Sequence, residues 1–134
     1  MTEPNATAWE RTRRAVAERA ATLESDGRRV VRVTADHAAV DPAERRLLFT
    51  VGDSAADRLR NLLGDAAVDE SRVSVADGEG VRFLLIETVG DGHAAILAGG
   101  VDHRLLRELD PDAPVRTVVR RADGERAAVL THGT

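Results

Sequence analysis

Residues 81–89, with the sequence VRFLLIETV, carry apolar side chains at both alternating sets of positions. A strand of this kind is typical of the middle of a sheet, where other elements cover both faces. The stretch Gly90-Asp91-Gly92 predicts a tight turn, after which residues 93–98 return as the antiparallel partner. We therefore expect a sheet whose central strand is covered on both sides.

Shorter signals predict the other elements. Thr7-Ala8-Trp9-Glu10 has the form of a capping box and predicts a first helix, which ends at Gly27. Ser54 and Gly64 bound a second helix, and Asp102 caps a short third one. The remaining predictions are strands at residues 28–36, 45–51, 72–76, 115–122 and 125–130, a polar loop over residues 36–44, and a two-residue type I′ turn at Asp123-Gly124.

The connections between these elements are short, which forces neighbouring strands to pair antiparallel, because a parallel crossover needs a dozen residues or more. We therefore predict the α+β class, with two main helices and one short helix on an antiparallel sheet, in the order α-β-β-α-β-β-β-α-β-β. No linker divides the 134 residues. One domain over residues 1–134 is expected, with fraying of residues 1–6 and 131–134.

The composition excludes several kinds of chemistry. There is no cysteine, so disulfides, thiolate catalysis and cysteine-ligated zinc are ruled out. All 19 basic residues are arginine, against 23 acidic residues. This pattern fits a GC-rich genome or an acidic surface adapted to a high-salt cytoplasm. Without an apolar leader or an 18-residue apolar run, the chain is expected to be soluble and cytoplasmic, with no membrane contact.

Glu87 is a candidate catalytic residue because it lies inside the most apolar strand. It has the parity of Phe83, Leu85 and Val89, and a carboxylate buried there must be paired or neutral. The interpretation that we favour is a structural ion pair with an arginine on a neighbouring strand. The alternative is a carboxyl group at a functional site.

A second candidate site precedes the third helix. Gly99 and Gly100 are candidate ligand-binding residues in a turn, and Asp102 and His103 are candidate catalytic residues at the helix start, where an anion can bind. The turn lacks the G-x-G-x-x-G pattern, the P-loop lysine and a βαβ context, so a glycine pair that ends a strand is the simpler interpretation.

Other recognisable chemistries find no support in the sequence. The histidines His37, His93, His103 and His132 include no pair with helical i,i+4 spacing and no H-E-x-x-H, so neither a metal site nor a cofactor is predicted. Ser54 follows a strand and a turn, as some nucleophiles do, but its role as an N-cap explains it.

Arginines cluster at residues 11–14, 28–32, 45–46 and 116–126, and the last cluster could line one face of the closing hairpin. Binding of single-stranded nucleic acid usually combines a basic surface with aromatic residues. The chain has a pI of about 5.6 and only two Phe, one Trp and no Tyr. We therefore favour an ion-paired sheet surface over a nucleic-acid site.

Five segments resemble a family of short haloarchaeal proteins of unknown function and together cover nearly the whole chain. They are Trp9 in the first helix and residues 27–31, 48–51, 81–87 and 129–132. The resemblance implies a haloarchaeal cytoplasmic protein and transfers no active site. In element order alone the chain is also similar to roadblock and longin modules, which are dimerising scaffolds in small-GTPase regulation, although its two closing strands are extra.

We therefore predict a small non-enzymatic protein-interaction or regulatory module that forms homodimers, since unpaired sheet edges favour self-pairing. The expected partner is a second copy or another protein. The alternative is a small-ligand-binding protein or a hydrolase-like enzyme that uses the Gly99–His103 turn and Glu87.

Overall fold

A computed structural model describes residues 3–63, 70–77, 80–90, 92–109 and 115–132. The helices are α1 (Glu3–Ser25), α2 (Asp53–Leu63) and α3 (His103–Arg107). The strands are β1 (Arg29–Thr34), β2 (His37–Asp41), β3 (Arg46–Thr50), β4 (Glu70–Asp77), β5 (Val81–Gly90), β6 (His93–Asp102), β7 (Val115–Arg120) and β8 (Arg126–His132). The α+β class and the order of the predicted elements are confirmed, and β2 is added to them.

The strands form two four-stranded sheets, each with one parallel pair. Sheet A has the order β1-β6-β5-β4, and sheet B has the order β2-β3-β7-β8. Hairpin neighbours pair antiparallel, as their short links require. The parallel pairs, β1 with β6 and β3 with β7, join strands that are far apart in sequence. The antiparallel pairing predicted from short links is thus confirmed for the hairpins, whereas the two parallel pairs and the division into two sheets were not predicted.

Strand β5 lies in the interior of sheet A and is covered on both faces, as its sequence predicts. On one face, Leu84 and Ile86 are fully buried in the main core, which fills the space between the two sheets and includes the apolar side of α2. On the other face, Leu85 packs with Leu23 of α1 and Ile96 of β6 in a second, smaller core. The molecule thus has three layers: α1, sheet A and sheet B.

Helix α1 begins earlier than the capping box predicts and ends where expected. Its first residue is Glu3, so Thr7 lies inside the helix and does not cap it. At the other end, Gly27 has a φ of 89°, and the N–H of Arg28 donates to the carbonyl of Leu23. Of the ends expected to fray, residues 3–6 belong to α1 and 131–132 to β8, while 1–2 and 133–134 lie outside the described residues.

Strand β2 occupies part of the predicted polar loop over residues 36–44, so that prediction is wrong. Ala38 packs against the main core and Val40 is buried in it, and β2 pairs with β3 along its whole length. The segment is short and rich in alanine, which gives it little intrinsic β preference. Its strand conformation therefore depends on tertiary burial and pairing.

The turn between β7 and β8 also differs from the predicted type I′ form. A type I′ turn needs positive φ at both central residues. Here Gly124 has a φ of 91° and Asp123 does not have a positive φ. The N–H of Gly124 donates to the carbonyl of Arg121, and the N–H of Arg121 donates to that of Glu125. This is the pattern of a three-residue loop with a glycine bulge.

Arg121 joins this loop to the start of α2. Its guanidinium hydrogen-bonds the carboxylates of Asp57 and Asp53, and these two bonds raise the pKa of Arg121 above its ordinary value. Leu59, fully buried on the opposite side of the helix, belongs to the main core. Helix α2 is thus held by an ionic contact on one side and apolar packing on the other.

Candidate functional site

Glu87 is a buried carboxylate that pairs with an arginine of α1. It is 5% exposed, and its Oε1 lies 2.5 Å from Nε of Arg19. The partner of Glu87 is thus an arginine of helix α1, whereas the sequence predicted an arginine on a neighbouring strand. In addition, the strand register places Arg72 of β4 opposite Glu87. Because the guanidinium neutralises the carboxylate and donates to it, the pair forms a fixed ionic contact between helix and sheet.

An open groove between α1 and β4 has this ion pair at one end. Two adjoining cavities of about 420 and 430 Å³ make up the groove and share Ala15, Ser74 and Leu85 in their walls. This size is enough for a small molecule. However, the carboxylate of Glu87 is already bound by Arg19, and most of the remaining wall is small or apolar.

Gly99 and Gly100 lie within β6, which continues to Asp102, so they form neither the candidate ligand-binding turn nor the end of the strand. A Cβ on Gly99 would be 3.2 Å from the Cβ of Ala38 in sheet B, and one on Gly100 would be 3.0 Å from the ring of Phe83. Glycine at these positions lets the sheets approach each other and leaves room for that ring. Both glycines therefore have a packing role.

Asp102 and His103 lie at the junction of β6 and α3. Oδ1 of Asp102 accepts hydrogen bonds from the backbone N–H groups of Arg104, at 2.7 Å, and Leu105, at 3.3 Å. Asp102 is thus the predicted N-cap. His103 is half-buried, and its backbone N–H donates to the carbonyl of Gly80. The carboxylate of Asp102 is engaged by the backbone of a helix only five residues long.

The two candidate sites lie at opposite ends of sheet A. Asp102 is opposite Val81 in the register, whereas Glu87 is six residues further along β5. Six residues of strand span about 20 Å. Glu87 and His103 therefore do not share a pocket, and the structure brings no acid–base pair together from these residues.

No group of three or more His, Cys, Asp or Glu side chains that could hold a metal ion occurs in the described part of the chain. His37 is exposed at the start of β2, and His93 is buried at the start of β6. His132 ends β8.

Strand β4 is an edge of sheet A and forms one wall of the groove. It is eight residues long and pairs with β5 throughout without a bulge. Val73 and Val75 are opposite the buried Ile86 and Leu84, yet they remain 37% and 49% exposed. Nothing in the sequence alone singles out these valines. Their alternation with Ser74 indicates a half-buried strand, but it does not reveal which strand lies at an edge.

The face of sheet B that points away from sheet A has no described helix packed on it, and we call it the open face. Helix α1 packs on sheet A, and the apolar residues of α2, together with Leu106 of α3, join the core between the sheets. The strand register gives the open face a central apolar row, made of Ala39, Leu48, Val118 and Val129.

A family described as "Family of unknown function (DUF7529)" matches residues 1–134. No curated protein and no solved structure matches the chain. None of the helices in the described ranges is both long and apolar enough to cross a membrane.

Proposed function

Because the chain belongs to the DUF7529 family, a family of unknown function, we propose its function from its own surface: a protein-interaction module that forms homodimers through the edge of β4. The observation that carries the proposal is the exposure of Val73 and Val75 on this strand. An edge strand presents unpaired backbone groups and is a template for pairing with another chain.

The other three edge strands carry features that oppose pairing. Arginines lie at two of the six positions of β1, strand β2 has only five residues, and the pairing of β8 with β7 has a register irregularity. Charge, shortness and bulges are the means by which natural edges avoid association. Strand β4 also carries charges, at Glu70, Arg72 and Asp77, but they flank an uncharged stretch at residues 73–76. Its pairing with β5 is regular over all eight residues, so its edge is long and has no bulge.

The side-chain pattern of β4 suits pairing with itself. Two copies related by a twofold axis pair antiparallel, and an axis through Ser74 sets each Val73 opposite the partner's Val75. The exposed valines then cover each other on one face of a continuous eight-stranded sheet. On the other face the two Ser74 side chains meet beside the α1 grooves, which Ser74 lines in each copy.

Size-exclusion chromatography with light scattering tests this proposal, at low salt and in 2 M KCl because of the expected salt adaptation. The wild-type protein is expected to be a dimer. Val75→Lys is expected to give a folded monomer, because the lysine would meet an apolar side chain of the partner. Leu105→Lys is the matched control: Leu105 is 38% exposed on α3, away from β4. A monomeric wild type or a dimeric Val75→Lys variant would contradict the proposal.

A crosslink tests the position of the twofold axis. Because the chain has no cysteine, Ser74→Cys introduces a single thiol. Directly opposite residues in an antiparallel pair have Cα atoms about 4.5–5.5 Å apart, which a disulfide can bridge. Mild oxidation is expected to give a covalent dimer of Ser74→Cys and none of Ser54→Cys, whose exposed position is on α2. Equal crosslinking of both variants would rule out this register.

A further inference from the structure

Rows of arginine flank the apolar row of the open face. The strand register places Arg46 and Arg116 side by side along one border. It places Arg120 and Arg126 side by side along the other. Arg46, Arg116 and Arg120 are each two positions along their strand from the central row. Arg126 is three positions from Val129, and the register irregularity between them places it opposite Arg120. All four residues therefore lie on the same side of sheet B.

The charge of this face is opposite to that of the chain as a whole. The whole chain carries a net charge of −4. On the open face, Asp41 is the acidic residue that the register aligns with the four arginines, and it pairs with Arg46 at 3.0 Å. Arg116 and Arg126 are exposed. The face therefore presents an excess of guanidinium groups to solvent.

The apolar row gives the face a surface for contacts other than ionic ones. Val118, in the middle of the row, is only 4% exposed. Val129, next to it on the edge strand β8, is 45% exposed. Leu48 and Ala39 continue the row in a half-buried state.

We propose that the open face binds an acidic amphipathic segment of a partner protein, with apolar residues on the central row and carboxylates on both arginine borders. Four strands about 4.8 Å apart give the row a length of about 14 Å, and each border lies about 7 Å from it. A helix of about 10 residues has this length, and glutamates on its two flanks can reach both borders.

Charge and chemistry distinguish this occupant from two others. A second copy that packed its own open face here would set arginines against arginines, which like-charge repulsion opposes. Single-stranded nucleic acid would need several stacking platforms, and none of the residues that the register aligns on this face is Phe, Tyr or Trp. The imidazole of His37 lies on this face, but at the start of the edge strand β2 and away from the exposed Arg116 and Arg126. The apolar row favours a protein segment, because it would contribute nothing to phosphate binding.

Fluorescence anisotropy with the full-length protein tests the proposal. The probe is a labelled 14-residue helical peptide with leucines at i, i+3 and i+7 and glutamates on both flanks. Comparison probes are the same peptide with lysine for glutamate, a scrambled version, and an oligothymidine of equal charge. The wild-type protein is expected to bind the acidic peptide in preference to the other three.

Variants locate the binding surface. Arg116→Glu is expected to weaken binding about tenfold or more, Arg116→Gln by less, and Val129→Ser also measurably. Arg58→Glu is the control, because Arg58 is exposed on α2, away from the open face. Circular dichroism checks the folding of each variant. Any one of four results would overturn the proposal. The wild-type protein does not bind the acidic peptide, or it binds the scrambled peptide equally well, or it binds the oligonucleotide more tightly. The fourth is that Arg58→Glu weakens binding as much as Arg116→Glu.

The two proposals can fail separately. The open face belongs to sheet B and β4 to sheet A, so Val75→Lys is expected to leave peptide binding unchanged and Arg116→Glu to leave the dimer intact.

Discussion

Arg19 of α1 and Glu87 of β5 form an ion pair whose two members differ in exposure: the arginine side chain is 39% exposed and the glutamate side chain 6%. The arginine keeps contact with water while it neutralises a carboxylate below the helix. This contact ties α1 to the outer side of sheet A, next to the small apolar core that Leu23 and Leu85 share.

Removal of Arg19 alone should lower stability more than removal of both Arg19 and Glu87. Arg19→Met leaves the carboxylate of Glu87 buried without this partner and is expected to lower the free energy of unfolding by about 2 kcal/mol. This loss is below the range for fully buried pairs because water reaches Arg19. The double variant Arg19→Met/Glu87→Leu should recover at least half of it. Urea unfolding measures the stability of both variants. An Arg19→Met variant as stable as the wild type would show that the ion pair adds nothing to stability.

A methyl group at Gly99 is expected to strain the contact between the sheets. The added Cβ would meet Ala38 at 3.2 Å and the ring of Phe49 at 3.3 Å. Gly99→Ala should therefore lower stability by about 1–3 kcal/mol, the usual cost of overpacking. Gly52→Ala is the control for crowding, because its Cβ would have only the side chain of Asp36 nearby, at 3.9 Å. The carbonyl of Gly52 accepts the first hydrogen bond of α2, so alanine there is expected to cost only the difference between the two residues as N-caps, about 0.5 kcal/mol. Thermal unfolding compares the two, and equal midpoints would refute tight packing at Gly99.

Asp102 should behave as a helix cap. Asp102→Ala removes the acceptor for two backbone N–H groups and is expected to lower stability by about 1 kcal/mol. Asp102→Asn should retain most of the stability, because an amide oxygen caps a helix about as well. Denaturant titration gives both values. A loss with asparagine as large as with alanine would show that the charge matters and not the capping geometry.

Those features of the fold that depend on short stretches of sequence were predictable. The β5–β6 hairpin follows from the apolar run and the glycine turn, and the end of α1 follows from Gly27. The burial of Glu87 also follows from its parity among apolar neighbours.

The features that depend on distant contacts were not predictable. The helical partner of Glu87, the location of Gly99 within a strand and the pairing of β2 all depend on which segments meet in three dimensions. The exposure of Val75 could not be predicted for the same reason, because a valine in an edge strand and a valine in a central strand look alike in sequence. Both proposed interaction surfaces can therefore be recognised only from the order of the strands in the sheets.

The two parallel pairs have a consequence for synthesis on the ribosome. Strand β1 pairs with β6, and β3 pairs with β7, so each sheet is completed by strands from the second half of the chain. A nascent chain that ends after α2 has no neighbour for β1 and only β2 as a partner for β3. Contacts this far apart in sequence slow folding and leave strands exposed in the meantime. The chain is thus expected to fold only once it is nearly complete, and cutting it between α2 and β4 should yield two fragments that fold only together.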